Sequence, residues 1–515
     1  MSSVLPARQI LGHPAGLFVC FLTEMWERFS FYGMKALLFL YLTQHHRFDD
    51  ADGYLLLGTY AGLAYALPLL GGTLADQYLG MRKAVIYGGV LLALGQLGMA
   101  YTGTPASSAG EQDAMALQIM YFSLALIAVG VGFLKPNIST IVGRLYPDGD
   151  PRKDSGFTIF YMGINIGAMF SSLVCGYVGR EYGWGYGFGL AGILMVVGLL
   201  NFIYGQKHFL GHAEPRDPLA LRQPRLLGLS SEWWIYLSGL LVTVLVWQVL
   251  QTKIDFEPLS RLMGGHEVTA TEVVAVVMGL ALLGWFLWFI TMRCTREQNH
   301  QMVVLMVLMA VSAIFWGLYE QTYGTWVAYS DRGMNLGTLN SSQLTFLGAM
   351  FVIVLSPLFA WAWPRLDKRS LNPSAPAKFG WALVLAGLAF GLLVLSAQYP
   401  EANGKISVWW LVAAYFVLTV GEMMLSPIGL SIVTSLSVPR VVGLMMGGWF
   451  LFSAFGEIIA GRFGVLAAMD PNTPATEAIA IYAGTFHFLM WVGVISGLLM
   501  LVASPLLKRG MHGVK

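Results

Sequence analysis

Charge is what this 515-residue sequence has least of. Asp, Glu, Lys and Arg make up 11% of it and 56% is hydrophobic, whereas a water-soluble chain of this length carries about a quarter charged residues. Water is therefore not the solvent for most of its surface. The formal net charge is only +2, which leaves no electrostatic case for a nucleic-acid partner. Cysteine is scarce as well: Cys20, Cys175 and Cys294 lie in separate apolar stretches. They form no CxxC and no metal-ligand spacing, so they read as small buried hydrophobes and no metal site or cofactor is expected. The nine histidines fall mostly in loops or near the ends of apolar runs. No HExxH, phosphate loop or convincing triad occurs, so no catalytic residues are assigned and the chain is read as a non-enzyme. The N-terminus lacks a basic n-region leading into an apolar run with a small-residue cleavage site, and no removable signal peptide is expected.

Long apolar runs are what the sequence has in abundance. Fourteen segments are candidates to cross a bilayer, at 15–43, 53–78, 82–102, 115–145, 154–178, 184–206, 230–252, 271–293, 300–328, 341–364, 377–398, 405–433, 439–468 and 476–507. A helix needs ~20 residues to cross the hydrocarbon core, and the strands of a barrel run only about 10, so the expected class is an all-α membrane protein. With the N-terminus in the cytoplasm, twenty Lys and Arg residues fall in cytoplasmic segments and six in external ones. The positive-inside rule then puts both termini in the cytoplasm. The polar stretch 207–229, with four basic residues and three prolines, reads as a linker between halves. The layout is six spans, a two-helix hairpin and six more: an N-terminal bundle (1–206), a linker and insertion (207–296) and a C-terminal bundle (297–515). Two-lobed transporters of this kind hold their site at the midplane between repeats, and the hairpin is expected to be scaffold.

Several charges lie where a bilayer would not tolerate them alone. A charge at mid-bilayer costs at least ~2.5–3.5 kcal/mol on insertion scales, so each needs a partner, a wet cavity or a function. In the first span Glu24, Arg28, Phe31 or Tyr32, and Lys35 recur at helical spacing and share a face, with Glu27 one position off. Lys135 lies deep in the fourth span beside Pro136, which frees a backbone carbonyl, and can pair with Glu24 or Glu27. Protonation of such a carboxylate releases the cation, which makes the pairing a switch. Glu320, Glu422 and Glu457 lie in the second half, Glu457 on one helical face with Trp449 and Ser453. A cavity cationic at one end and anionic at the other suits a zwitterion better than a sugar or a bare anion. A purely structural ion-pair network is the competing reading.

These residues resemble a known group. The run from Glu24 through Glu27, Arg28, Phe29, Phe31, Tyr32 and Gly33 is similar to the ExxERFxYYG motif of the proton-dependent oligopeptide transporter (POT/PTR2) family. Gly71–Asp76 with Gly80, Arg82 and Lys83 resembles the loop motif of the major facilitator superfamily, and Phe157–Gly167 resembles the peptide-transporter signature of the fifth span. Lys135-Pro136-Asn137, Glu320-Gln321, Glu422 with Ser426-Pro427, and Gly447-x-Trp449-Phe450 match further. The resemblance covers residues 20–465 and implies a major facilitator fold of fourteen transmembrane helices, with a proton-coupled symporter of di- and tripeptides working by alternating access. It implies that Arg28, Lys35 and Lys135 hold the peptide carboxylate and Glu422 its amino terminus. Tyr32, Tyr65, Asn165, Trp449 and Ser453 would line the pocket together with Glu320. Glu24, Glu27, Arg28, Lys135 and Glu320 would couple protonation to transport. The proton is the coupling ion, no cofactor is implied, and the unit of function is expected to be a monomer in the lipid bilayer. Phe31, Lys35, Gly348 and Glu457 depart from the residues usual in the family. A same-fold carrier of nitrate or another small anion is the alternative, and a peptide sensor that moves nothing a further one.

Overall fold

A computed structural model of the chain describes residues 8–514 apart from 148, 210, 255–259 and 261–266. Each of the fourteen apolar segments contains a helix. The helices are α1 (Ala15–Leu40), α2 (Asp50–Ala66), α3 (Pro68–Leu74), α4 (Met81–Met99), α5 (Ala114–Arg144), α6 (Lys153–Glu181) and α7 (Trp184–Gly205). After the short α8 (Pro218–Arg222) come α9 (Ser231–Gln251), α10 (Ala270–Arg293), α11 (Arg296–Tyr319), α12 (Thr325–Gly333) and α13 (Phe346–Lys368). The last four are α14 (Ala375–Ser396), α15 (Val408–Leu436), α16 (Val442–Val465) and α17 (Ala475–Gly510). Among the described residues, twelve helical stretches are long and apolar enough to cross a membrane. The helices α1 and α4, of 26 and 19 residues, fall outside that set; α1 carries Glu24, Glu27, Arg28 and Lys35, and α4 carries Arg82 and Lys83. The protein is an all-α, multi-pass membrane protein.

Local chemistry sets where the helices start and break. Asp113 accepts hydrogen bonds from the Met115 and Ala116 amides at 3.0 and 3.1 Å and so caps α5. Thr269 and Glu272 form a capping box at α10, and Thr295 and Gln298 another at α11; each satisfies amides that a helix start leaves open. Proline interrupts the bonding of two long spans: Pro136 in α5 and Pro427 in α15 each lack the N–H that would bond one turn back.

The chain divides into two compact units, Met1–Tyr41 with Leu63–Gln251, and Leu42–Gly62 with Thr252–Lys515. In the first unit α4 packs along α5, α1 along α6 and α7, and α9 against α5. Close approach needs small residues there: a Cβ on Gly71 would lie 2.3 Å from the Gly132 carbonyl oxygen. At one end of this unit Arg82 reaches Glu214 (2.6 Å) and Lys83 reaches Glu232 on α9 (2.6 Å).

In the second unit α14 packs along α17 and α15, and α11 along α16. Arg462 of α16 forks onto the buried Glu272 of α10, with Nη2 to Oε2 at 2.7 Å. Helix α10 is thus anchored by a paired charge. The segment Leu42–Gly62 is held in the same way. Arg332 grips the buried Asp50 through two bonds of 2.6 and 2.7 Å and also donates to the Tyr482 hydroxyl. Gln44 donates to Asp331 at 2.7 Å, and Lys253 to Asp52 at 2.7 Å.

Candidate functional site

The first unit collects one half of the anticipated residues. Glu24, Glu27, Arg28 and Lys35 of α1 are all buried, each 2% exposed or less. Arg28 Nε donates to Glu24 Oε1 at 2.9 Å and pairs with Glu27 Oε2 at 2.5 Å. One guanidinium thus serves two carboxylates, and Glu24 Oε2 and Glu27 Oε1 have no hydrogen-bond partner among the described residues. Lys135 of α5 stands within electrostatic reach of Glu27. Its ammonium lies 4.0 Å from the centre of the Tyr65 ring, a cation–π contact. Tyr32 and Tyr65 both lie close enough to act on Arg28, and Arg28 packs 5.8 Å from the centre of the Phe31 ring. So Glu24, Glu27, Arg28, Tyr32, Tyr65 and Lys135 converge. Lys35 follows Arg28 on the same helix two turns on. Asn165 of α6 is buried, and its amide donates to the Tyr161 carbonyl one turn back at 3.0 Å, so that group is partly occupied by its own helix.

The second unit collects the other half. Helix α11 ends at Tyr319, a single 3-10 turn spans Glu320–Thr322, and α12 resumes at Thr325. The break falls on Glu320. It is bridged by Gln321, which donates to the Gly317 and Ala460 carbonyls at 3.2 and 2.9 Å and accepts from Thr325. Interrupted helices are where transporters expose backbone groups and aim side chains into a site. Glu320 and Glu422 are each 8% exposed. The Tyr319 hydroxyl donates to Glu422, and Glu320 lies within electrostatic reach of it. The second carboxylate oxygen of Glu422, Oε2, has no hydrogen-bond partner among the described residues. On α16, Trp449, Ser453 and Glu457 are buried. Ser453 donates to the Trp449 carbonyl at 3.2 Å, and the Trp449 ring lies where a Cβ on Gly429 would stand 2.2 Å from it. Any side chain at 429 would displace the indole.

Sequence reasoning left Tyr319 off the list of site residues, though it adjoins Glu320 and holds Glu422. Its signal was position: it is the last residue before the break. Gly348, one of the departures, faces the same cluster, since a Cβ there would lie 3.3 Å from the Tyr319 hydroxyl. The Asp50–Arg332 pair was not foreseen either, because both residues looked like loop charges. Among the described residues no group of three or more His, Cys, Asp or Glu side chains could hold a metal ion.

The comparisons define the class of this many-helix membrane protein. The model of the PTR2, or POT, family matches residues 82–478. The peptide transporter YePEPT of Yersinia enterocolitica is 34% identical over 481 residues, covering 89% of this chain and 88% of its own length. Dipeptide and tripeptide permease A of Erwinia pyrifoliae is 30% identical over 502 residues, covering 96% and 94%. Among solved structures, a mutant POT peptide transporter in complex with alafosfalin superposes with a TM-score of 0.80 at 32% identity, covering 99% of this chain and 98% of that one. This chain belongs to the POT family of transporters, with the major facilitator type of fold. It is not an enzyme.

Proposed function

We propose that this chain is a proton-coupled symporter that imports di- and tripeptides by alternating access. The observation that carries this reading is the contrast in charge: a cationic set, the buried Arg28 and Lys35 with the half-buried Lys135, in one unit, and in the other a buried carboxylate, Glu422, with one oxygen unsatisfied. Relatives named as peptide transporters support the substrate class.

The physical sequence runs from the proton. Neutralising Glu24, Glu27 or Glu320 removes the attraction that holds its cation, as an opposite charge within a few ångströms otherwise does. The peptide carboxylate then takes Arg28, Lys35 and Lys135, and the ammonium takes the free oxygen of Glu422, which Tyr319 holds in orientation. Tyr32, Tyr65, Asn165, Trp449 and Ser453 form the walls, with Glu320 beside the amino terminus. The membrane potential adds ~2.3 kcal/mol per charge per 100 mV. We further propose two six-helix bundles, 1–206 and 297–515, a linker and hairpin between them, fourteen transmembrane helices, cytoplasmic termini, an inner-membrane location and a functional monomer.

Uptake by purified protein in liposomes under an imposed pH gradient tests this, across di-, tri- and tetrapeptides. Accumulation of labelled dipeptide that collapses with the gradient and resists competition by nitrate is the expected result. Uptake blocked by nitrate, or indifferent to the gradient, overturns it.

A further inference from the structure

Between α3, α5 and α9 lies a partly open groove of about 240 Å³. It is separate from the charged clusters above. Its walls include Leu67, Leu70, Leu74, Val129, Phe133 and Val242. Only two hydroxyls, Thr73 and Ser238, border it, and both are already used. Thr73 donates to the Leu69 carbonyl at 2.7 Å and Ser238 to the Ile235 carbonyl at 2.8 Å. Nothing in the walls asks for a polar ligand, so a peptide or a proton has no business there.

What surrounds the groove follows from α9. It is a membrane-crossing stretch with only 22% of its apolar window buried, so lipid chains are what it meets. The end of α9 nearest the groove is charged. Glu232 in its first turn accepts from Lys83 at 2.6 Å and from Tyr236 at 3.0 Å, and Arg222 acts on it electrostatically. Tyr87 then donates to the Tyr236 carbonyl at 2.8 Å. In this region Arg82, Lys83, Lys207, Arg216, Arg222 and Arg225 outnumber Glu214, Asp217 and Glu232. Beside them Leu219, Leu227 and Trp233 are 77%, 81% and 58% exposed, the mixture of basic, apolar and aromatic groups that sits at a membrane interface. From Glu232 to Val242 along the helix is about 15 Å, which spans from headgroup level into hydrocarbon.

We propose that this groove binds one acyl chain of an anionic bilayer phospholipid, with the headgroup held at the basic collar around Arg222 and Lys83. Basic pockets between transmembrane helices select such headgroups. The chain would lie against α3 and the stretch of α5 just before Lys135 and Pro136, so occupancy bears on how those helices pack.

The test uses full-length protein in phosphatidylcholine vesicles doped with a probe lipid carrying a diazirine midway along one acyl chain. The headgroup is either phosphatidylglycerol or phosphatidylcholine, and labelled residues are mapped by mass spectrometry. The glycerol probe should mark Leu70, Phe133 and Val242 above the lipid-facing Val276 and Leu280 of α10. Arg222→Gln should cut that labelling about fivefold, the equivalent of the ~1 kcal/mol a basic side chain contributes near an anionic surface. Val242→Trp, with Leu70→Trp as a second filling variant, should abolish it while labelling on α10 persists, which shows the protein is folded. Equal labelling by both headgroups, groove labelling no stronger than on α10, or disulfide-linked dimers of Val242→Cys, the mark of a second copy as occupant, each overturns the proposal.

Discussion

In the first unit Arg28 sits between two carboxylates, whereas in the second Glu422 has a tyrosine for a partner and an oxygen left over. The two units therefore bury charge on different terms. The cluster on α1 is partly self-neutralising: Arg28 has two acids of its own, Glu24 and Glu27, and under the proposed function a ligand must compete for it. Glu422 has already lost its water, and a cation arriving there gains an interaction without displacing one. Burial without pairing is costly, and the proposed function assigns a ligand's ammonium to that carboxylate. Under the proposed function, the first unit would hold its binding capacity behind a protonation event and the second would offer it directly.

Breaking the paired side should have the largest effect. Arg28→Ala leaves Glu24 and Glu27 buried without their guanidinium, a loss of the kind that costs about 3–5 kcal/mol. Uptake should vanish and the thermal midpoint of the detergent-solubilised protein should fall; a midpoint like that of the parent protein would show that the arginine's pairing carries little weight. Lys135→Ala spares the Arg28 pairs and should abolish uphill accumulation under a pH gradient. Concentrative uptake by that variant would make the lysine a packing residue.

The unpaired side gives a subtler readout. Glu422→Ala should weaken peptides with a free amino terminus about 10–100-fold, from the ~1.5–3 kcal/mol of a hydrogen bond to a charged group. Amino-blocked peptides should be spared, and equal loss for both removes the assigned role. Tyr319→Phe takes away one bond to Glu422 and should cost free-amino peptides severalfold, about 1 kcal/mol. An unchanged affinity would mean the hydroxyl does not orient the carboxylate. The smallest effect belongs to a pair at the solvent. The hydrogen bond and charge of Arg82 hold the carboxyl of Glu214 below its usual value of 4.5. A depressed folded value means stability present above the unfolded value and lost as pH falls through the folded one. With Glu214 42% exposed, the gain is screened to below about 1 kcal/mol. Glu214→Gln should therefore change the midpoint by little at pH 7, and by less as the pH is lowered through the folded value; a large drop at pH 7 would place this pair among the structural ones.

The helices were legible because lipid enforces them. A run of twenty apolar residues has one way to satisfy its backbone in hydrocarbon, so the segment expected at 115–145 is α5 and the one at 184–206 is α7. The α1 cluster was legible for a related reason: Glu24, Arg28 and Lys35 sit at helical spacing in oil, and that spacing alone puts them on one face. The partners of Glu422 were not. Tyr319 lies on another helix about a hundred residues away, and its place beside Glu320 does not say that its hydroxyl meets Glu422. Asp50 and Arg332 escaped for the opposite reason. Each looks like a solvated loop charge, and only the packing of Leu42–Gly62 into the second unit buries Asp50 and turns Arg332 onto it.

What the sequence determined by itself is the solvent and the secondary structure, together with the fact that charge buried in an apolar helix must be answered by something. Those are local properties, settled by hydropathy and by the pitch of a helix. Which residue answers which charge is a matter of contacts between helices distant in the chain: Lys135 reaching toward Glu27, Tyr319 holding Glu422, Arg462 pinning Glu272. Only the tertiary structure decided them, because an ion pair or a hydrogen bond depends on a few ångströms of separation that no spacing along the chain contains.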